Sequence, residues 1–135
     1  MSMSLEAVPV PVSDTDRAKA FYTDKLGFAV DVDGRMPDGA RVVQLTPPGS
    51  HCSIHIGEIT SPMVPGSVTG LILVVDDAHT TKMELEAKGL TLSQVEEHPW
   101  GRHVYLSDPD GNAWTLQELF RRNESREREG TGGST

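Results

Sequence analysis

Residues 10–28 read VPVSDTDRAKAFYTDKLGF, and residues 74–90 read VVDDAHTTKMELEAKGL. In each stretch a valine-containing run meets an aspartate, and a helical pattern then runs to a glycine. Asp14 stands thirteen residues before Gly27, and Asp76 thirteen before Gly89. An aspartate at such a boundary accepts hydrogen bonds from the N–H groups that the first helical turn leaves unpaired. Asp16 and Asp77 add negative charge where the helix dipole favours it. The glycines can take the left-handed conformation that closes a helix. The spacing therefore predicts two helices at equivalent places in a duplicated unit. Ala18, Phe21, Tyr22 and Leu26 would form the packed face of the first. Ala78, Met83, Leu85 and Ala87 would form a weaker one in the second.

Outward from the helices, the pattern changes from helical to alternating. A strand precedes each helix, at Glu6–Val12 and Gly70–Val75. Three more follow the first helix, at Phe28–Val32, Arg41–Thr46 and Cys52–Ile56. Three also follow the second, at Leu90–Glu96, His103–Ser107 and Ala113–Leu119. Pro9 and Pro11 lack the N–H a ladder needs, so the first strand belongs at an edge or a hinge. Turn chemistry separates the strands, most clearly in Asp108-Pro109-Asp110-Gly111-Asn112. The expected fold is α+β: tandem βαβββ repeats forming a cupped mixed sheet with helices on its convex face. One domain is expected over 1–120, with units at 5–60 and 68–120, a linker at 61–67 and a polar, mobile tail at 121–135.

Length and charge narrow the function. At 135 residues the chain can bury a core without staples, and its single cysteine, Cys52, forms no internal disulfide and reads as a core thiol. A net charge of −8 argues against a nucleic acid or an anionic membrane as partner. No apolar run is long enough to span a membrane, and the N-terminus lacks a secretory pattern, so a cytoplasmic location is expected. Phosphate-binding loops, G-x-S-x-G elbows and Cys-x-x-Cys pairs are absent.

Val10-Pro11-Val12-Ser13-Asp14 through Phe21-Tyr22, Lys25-Leu26-Gly27-Phe28 and the closing Asp108-Pro109-Asp110-Gly111-Asn112 with Trp114, Leu116 and Gln117 resemble the glyoxalase/bleomycin resistance/dioxygenase (vicinal oxygen chelate) superfamily. The resemblance covers roughly residues 5–120 and implies tandem βαβββ units around a ligand cup, frequently completed in a homodimer. It also implies, in the metalloenzymes, one His, Glu or Gln ligand on each of four strands. Those positions fall on Ala7, His55, Gly70 and Thr115. Only His55 carries a customary ligand atom, whereas a catalytic divalent site needs about three protein ligands. The expectation is a chain with no metal and no other cofactor.

Alternation supplies the candidate site residues. With Val43, Leu45, Ile54, Ile56, Val104 and Leu106 turned to the helices, the opposite face carries Gln44, Ser53, His55, His103, Tyr105, Thr115 and Gln117. His55, His103 and Tyr105 are the candidate acid–base groups. Gln44, Ser53, Thr115 and Gln117 are candidate ligand-binding groups. Trp100 and Arg102, read as a loop beside the seventh strand, could stack on or grip a ligand, or simply cover a sheet edge. His98 and His103 flank a turn. The same alternation also fits a face that is merely wet or an interface. The first functional expectation is binding of a small organic molecule, with antibiotic sequestration as one form. The alternative is an isomerase, lyase or hydrolase of the same fold, independent of metal or, less favoured, dependent on a displaced ligand set.

Overall fold

The computed structural model describes residues 1–58 and 62–120. The expected tail at 121–135, and Ser61 at the start of the expected linker, lie outside the described residues. The chain divides into two compact units. The first comprises Met1–Thr69 with Ser107–Ala113, and the second Gly70–Leu106 with the chain from Trp114. The boundary thus falls just beyond the expected linker, and the late Asp-Pro-Asp-Gly-Asn turn belongs to the first unit.

In the first unit, β1 (Ala7–Pro9) is followed by α1 (Thr15–Ala20), which runs into a π-helical turn at Phe21–Lys25. Then come β2 (Ala29–Arg35), β3 (Arg41–Thr46) and β4 (Ser53–His55), in the sheet order β1-β4-β3-β2. β1 is the edge strand and runs parallel to β4. That placement suits Pro9, since only one side needs donors. Val43, Leu45, Ile54 and Ile56 are buried, and α1 packs on β3.

The second unit repeats the pattern. β5 (Leu71–Val74) leads into α2 (Ala78–Ala87), then β6 (Glu96–His98), β7 (Gly101–Ser107) and β8 (Ala113–Leu119), in the order β5-β8-β7-β6. β5 is parallel to β8 and β6 antiparallel to β7. Val104, Leu106, Trp114 and Leu116 are buried. On that same side the buried Glu118 carboxylate accepts from the Ala78 N–H at 2.9 Å, at the start of α2, where the helix dipole stabilises negative charge.

Three expectations are corrected. The cap of α2 is Asp77, not Asp76: its side chain accepts from the Thr80 N–H, while Asp14 caps α1 as expected. The true cap-to-glycine distances are therefore thirteen and twelve residues, and the π turn takes up the difference. The closing bond confirms it. Leu90 N–H reaches back five residues to Leu85, whereas Phe28 N–H reaches back six, to Tyr22. A π turn widens the helix by one residue locally. Second, β6 begins only at Glu96. Upstream, the Tyr105 N–H donates to the Ser93 hydroxyl at 2.9 Å, so a side chain stands where the ladder would have used a carbonyl. Third, Met83 is exposed and Cys52 is half-buried, so neither is core.

The first unit is anchored on the buried Asp108. One of its carboxylate oxygens accepts from the N–H groups of Asp110 and Asn112, both at 2.9 Å. The other accepts from the Tyr22 hydroxyl at 2.7 Å and the Asn112 amide at 2.8 Å. Removing the hydroxyl leaves a buried acceptor under-satisfied, so Tyr22→Phe is expected to cost about 2 kcal/mol. Urea denaturation of the two proteins measures this; equal midpoints would refute the anchoring role.

Candidate functional site

Strand parity decides which side chains meet. In the second unit the side of β7 and β8 opposite the buried residues carries His103, Tyr105, Thr115 and Gln117. The ladder adds Ile72 and Val74 from β5, opposite Thr115 and Gln117, and both are exposed. Glu96 and His98 follow on β6, with Glu96 directly across from His103. The Gln117 amide lies 3.0 Å from His103 Nε2. The Tyr105 hydroxyl donates to Glu96 Oε1 at 2.8 Å. That bond holds the Glu96 carboxyl below its ordinary pKa and pushes the Tyr105 phenol up. The Trp100 ring stacks on His98, with centroids 4.8 Å apart and an 11° interplanar angle, and remains 48% exposed. This face presents hydrogen-bonding groups, an open aromatic ring and two apolar side chains.

Arg102 is not among them. It lies within β7 rather than in a loop, one residue out of phase with His103. Its guanidinium donates to Glu97 at 2.8 Å and to Glu118 at 2.9 Å and sits over the Phe120 ring. These partners raise its pKa, the Glu97 bond first among them. It neutralises the buried Glu118, a structural task. Glu96 and His98 are the residues that sequence reasoning left out. Placing the β6–β7 turn at Pro99-Trp100 would have brought both to the His103 side.

In the first unit, Gln44, Ser53 and His55 share the other face of β3 and β4, with Ser53 itself buried. Gln44 pairs with His55 across the ladder, and its amide donates to Glu6 at 2.9 Å. The Ser53 and Thr46 hydroxyls lie 2.6 Å apart, and both bond Asp31. His55 Nδ1 is buried without a hydrogen-bond partner, and burial pushes the His55 imidazole pKa down. A cavity of about 530 Å³ in this unit lies elsewhere, at the start of α1 between Asp14, Asp16 and Arg41. Arg41 is committed there, bonding Asp16 at 2.5 Å and Asp33 at 3.0 Å.

The superfamily's metal positions do not fit an ion. Ala7 on β1 and Gly70 before β5 have no side-chain donor atoms, and Thr115 offers only a hydroxyl, leaving His55 as the one customary side-chain ligand of the four.

The family model for the Glyoxalase/Bleomycin resistance protein/Dioxygenase superfamily matches residues 4–116. The chain belongs to this superfamily. Among solved structures it is similar to TnmS3, an antibiotic binding protein from Streptomyces sp. CB03234, with 35% identity, 88% of this chain and 98% of that chain covered, and a TM-score of 0.81. A glyoxalase/bleomycin resistance protein from the same Streptomyces is 36% identical over 84% of this chain and 99% of that one, with a TM-score of 0.75. The Bacillus subtilis (strain 168) protein YetH is 28% identical over 122 residues, 87% of this chain and all of its own. The tandem βαβββ architecture expected from the duplicated Asp–Gly spacing is the fold of these neighbours. Among the described residues no helix is long and apolar enough to cross a membrane.

The desolvated His55 gives a pH prediction. Its folded pKa lies below the unfolded value of about 6.5. As pH falls through about 6.5, the unfolded chain takes up a proton that the folded chain resists, so stability drops until the folded pKa is passed and then levels. NMR titration should place the His55 midpoint below 6.5, and His55→Gln should lose less stability than the parent between about pH 7 and 5. A midpoint at or above 6.5 would contradict the desolvation.

Proposed function

We propose that this protein binds a small organic molecule of the antibiotic class on the open strand face of its second unit and holds it unchanged. One observation carries the reading: His103, Tyr105, Thr115 and Gln117 share a face with the exposed Trp100, Ile72 and Val74. Mixed apolar, aromatic and hydrogen-bonding linings are typical of ligand sites. The likeness to TnmS3, described as an antibiotic binding protein, supports the ligand class. Of the superfamily's metal positions only Thr115 lies on this face, and it contributes a hydroxyl rather than a metal ligand. Trp100 would stack on a planar ring system, and the Gln117 amide and Tyr105 hydroxyl would orient its polar groups. The Tyr105 hydroxyl is already engaged by Glu96. Gln44, Ser53 and His55 form a separate polar face in the first unit. The proposal includes a cytoplasmic homodimer, in which exposed apolar strand residues such as Ile72 and Val74 would gain cover.

The experiment is a titration of the full chain with a panel of polycyclic aromatic antibiotics, read by tryptophan emission and thermal stabilisation. Trp114 is buried and Trp100 exposed, so contact at the site should quench chiefly Trp100. Trp100→Ala is expected to weaken binding by about 1 kcal/mol, roughly fivefold in Kd. Mass spectrometry after long incubation should return the ligand at its original mass. A product of altered mass would establish the rival enzymatic reading, with His103 or His55 as proton-transfer group. No binding across the panel would reject the ligand class, and sedimentation as a monomer would reject the dimer.

A further inference from the structure

The β6–β7 hairpin carries a second feature, on residues that overlap the proposed ligand face. Glu96, His98 and His103 each offer one ligand atom, and these atoms all lie within 4.8 Å of one another. None of the three stands at a superfamily ligand position. The geometry points to a site for a first-row divalent transition-metal ion, Zn²⁺ or a neighbour, held by two imidazoles and one carboxylate.

Local structure explains the convergence. Glu96 and His98 are two apart on β6 and so share a face. His103 is the cross-strand partner of Glu96, and His98 is the partner of Gly101, so the turn between them is only Pro99-Trp100. Gly101 itself fits because it lacks a side chain: a Cβ there would come within 1.9 Å of the Glu118 carbonyl oxygen on β8. The hairpin is thus pressed against β8, and its register is fixed. The rings of His98 and His103 lie 4.8 Å apart between centroids, and His98 Nε2 is 3.3 Å from Glu96 Oε1. Donors about 2.1 Å from a tetrahedral ion sit roughly 3.4 Å from each other, so the most widely spaced donors would draw in by up to about 1.4 Å while Glu96 and His98 already meet that spacing.

Each donor also has a supporting partner. Tyr105 donates to Glu96, Gln117 contacts His103 Nε2, and Trp100 stacks flat on His98. Groups that fix the tautomer and orientation of ligating imidazoles and carboxylates characterise metal sites. Turned so that its oxygen accepts from the Nε2–H, the Gln117 amide leaves the other nitrogen of His103 with its lone pair free. Two nitrogens and one oxygen suit Zn²⁺, Ni²⁺ or Cu²⁺, whereas Mg²⁺ and Ca²⁺ prefer oxygen alone. Three protein ligands leave a position open to water or to an added ligand.

The test uses chelator-treated, dialysed full chain titrated with Zn²⁺ alone, by calorimetry and by competition with a chromophoric chelator. One ion per chain is expected, and binding needs the ligands in their deprotonated form. His98→Ala and His103→Ala should each weaken binding at least tenfold, and Gln117→Ala by a smaller factor. His79→Ala, on α2 and exposed, should leave it unchanged. Metal-free melting temperatures equal to the parent's would establish that the variants fold. A Cu²⁺-loaded sample should show coupling to two imidazole nitrogens in its electron paramagnetic resonance spectrum. Absence of stoichiometric binding, or binding that survives in the folded His98→Ala/His103→Ala double variant, would overturn the site.

Discussion

Burying a carboxylate is costly unless its oxygens find donors, and the first unit is arranged around that requirement. Asp108 sits at the head of a proline- and glycine-containing turn and is 5% exposed. Its oxygens take two main-chain N–H groups of the turn itself, which fixes the turn, and then the Tyr22 hydroxyl and the Asn112 amide. Asn112 passes the constraint on, donating to the Pro11 carbonyl and accepting from the Val68 N–H. Two side chains, Asp108 and the Asn112 it holds, thereby tie the segment after β1, the π turn after α1 and the end of the first unit to one point. Gly66 belongs to the same point: a Cβ there would meet the Asp110 carbonyl at 2.0 Å, and its φ of +80° suits glycine.

The second unit meets the same cost with a different device. Glu118, also 5% exposed, is shared between the N-terminus of α2 and the Arg102 guanidinium. A helix end and a cation satisfy what a turn and a phenol satisfy in the first unit. The consequence for the site is indirect but definite. Arg102 is consumed on the helix side of the sheet, so the face bearing His103 and Tyr105 receives no guanidinium from it. That face remains one of imidazole, phenol, amide and exposed aromatic groups, with Glu96 as its acid.

Much of this was legible in the sequence, because the decisive signals are local. Asp14 and Gly27 mark the ends of the first helix, Arg41–Thr46 and Ala113–Leu119 alternate cleanly, and parity then places Val104 against His103. What was not legible depends on a single residue of offset. The extra residue of the π turn made Asp76 look equivalent to Asp14, although Asp77 is the cap. The Ser93 hydroxyl replaces a ladder carbonyl, so the strand expected at Leu90–Glu96 forms only from Glu96. Because the turn falls two residues long at Pro99-Trp100, Arg102 belongs to a strand and His98 joins His103. A composition reading counts five histidines but cannot tell which two share a face until that turn is placed.

The superfamily fold is kept here while its shared ligand positions are not. A β-sheet fixes which side a residue faces but leaves its chemistry free. Ala7 on β1 and Gly70 before β5 therefore fit their places without side-chain donors, and donors can gather wherever a register brings alternate residues together. The β6–β7 hairpin is such a place, since a two-residue turn and a side-chain-free Gly101 against β8 fix Glu96 opposite His103. The same packing leaves Trp100 half-exposed beside them. The exposed Trp100 ring and a set of nitrogen and oxygen donors thus arise from one constraint, the close approach of β7 to the backbone of β8.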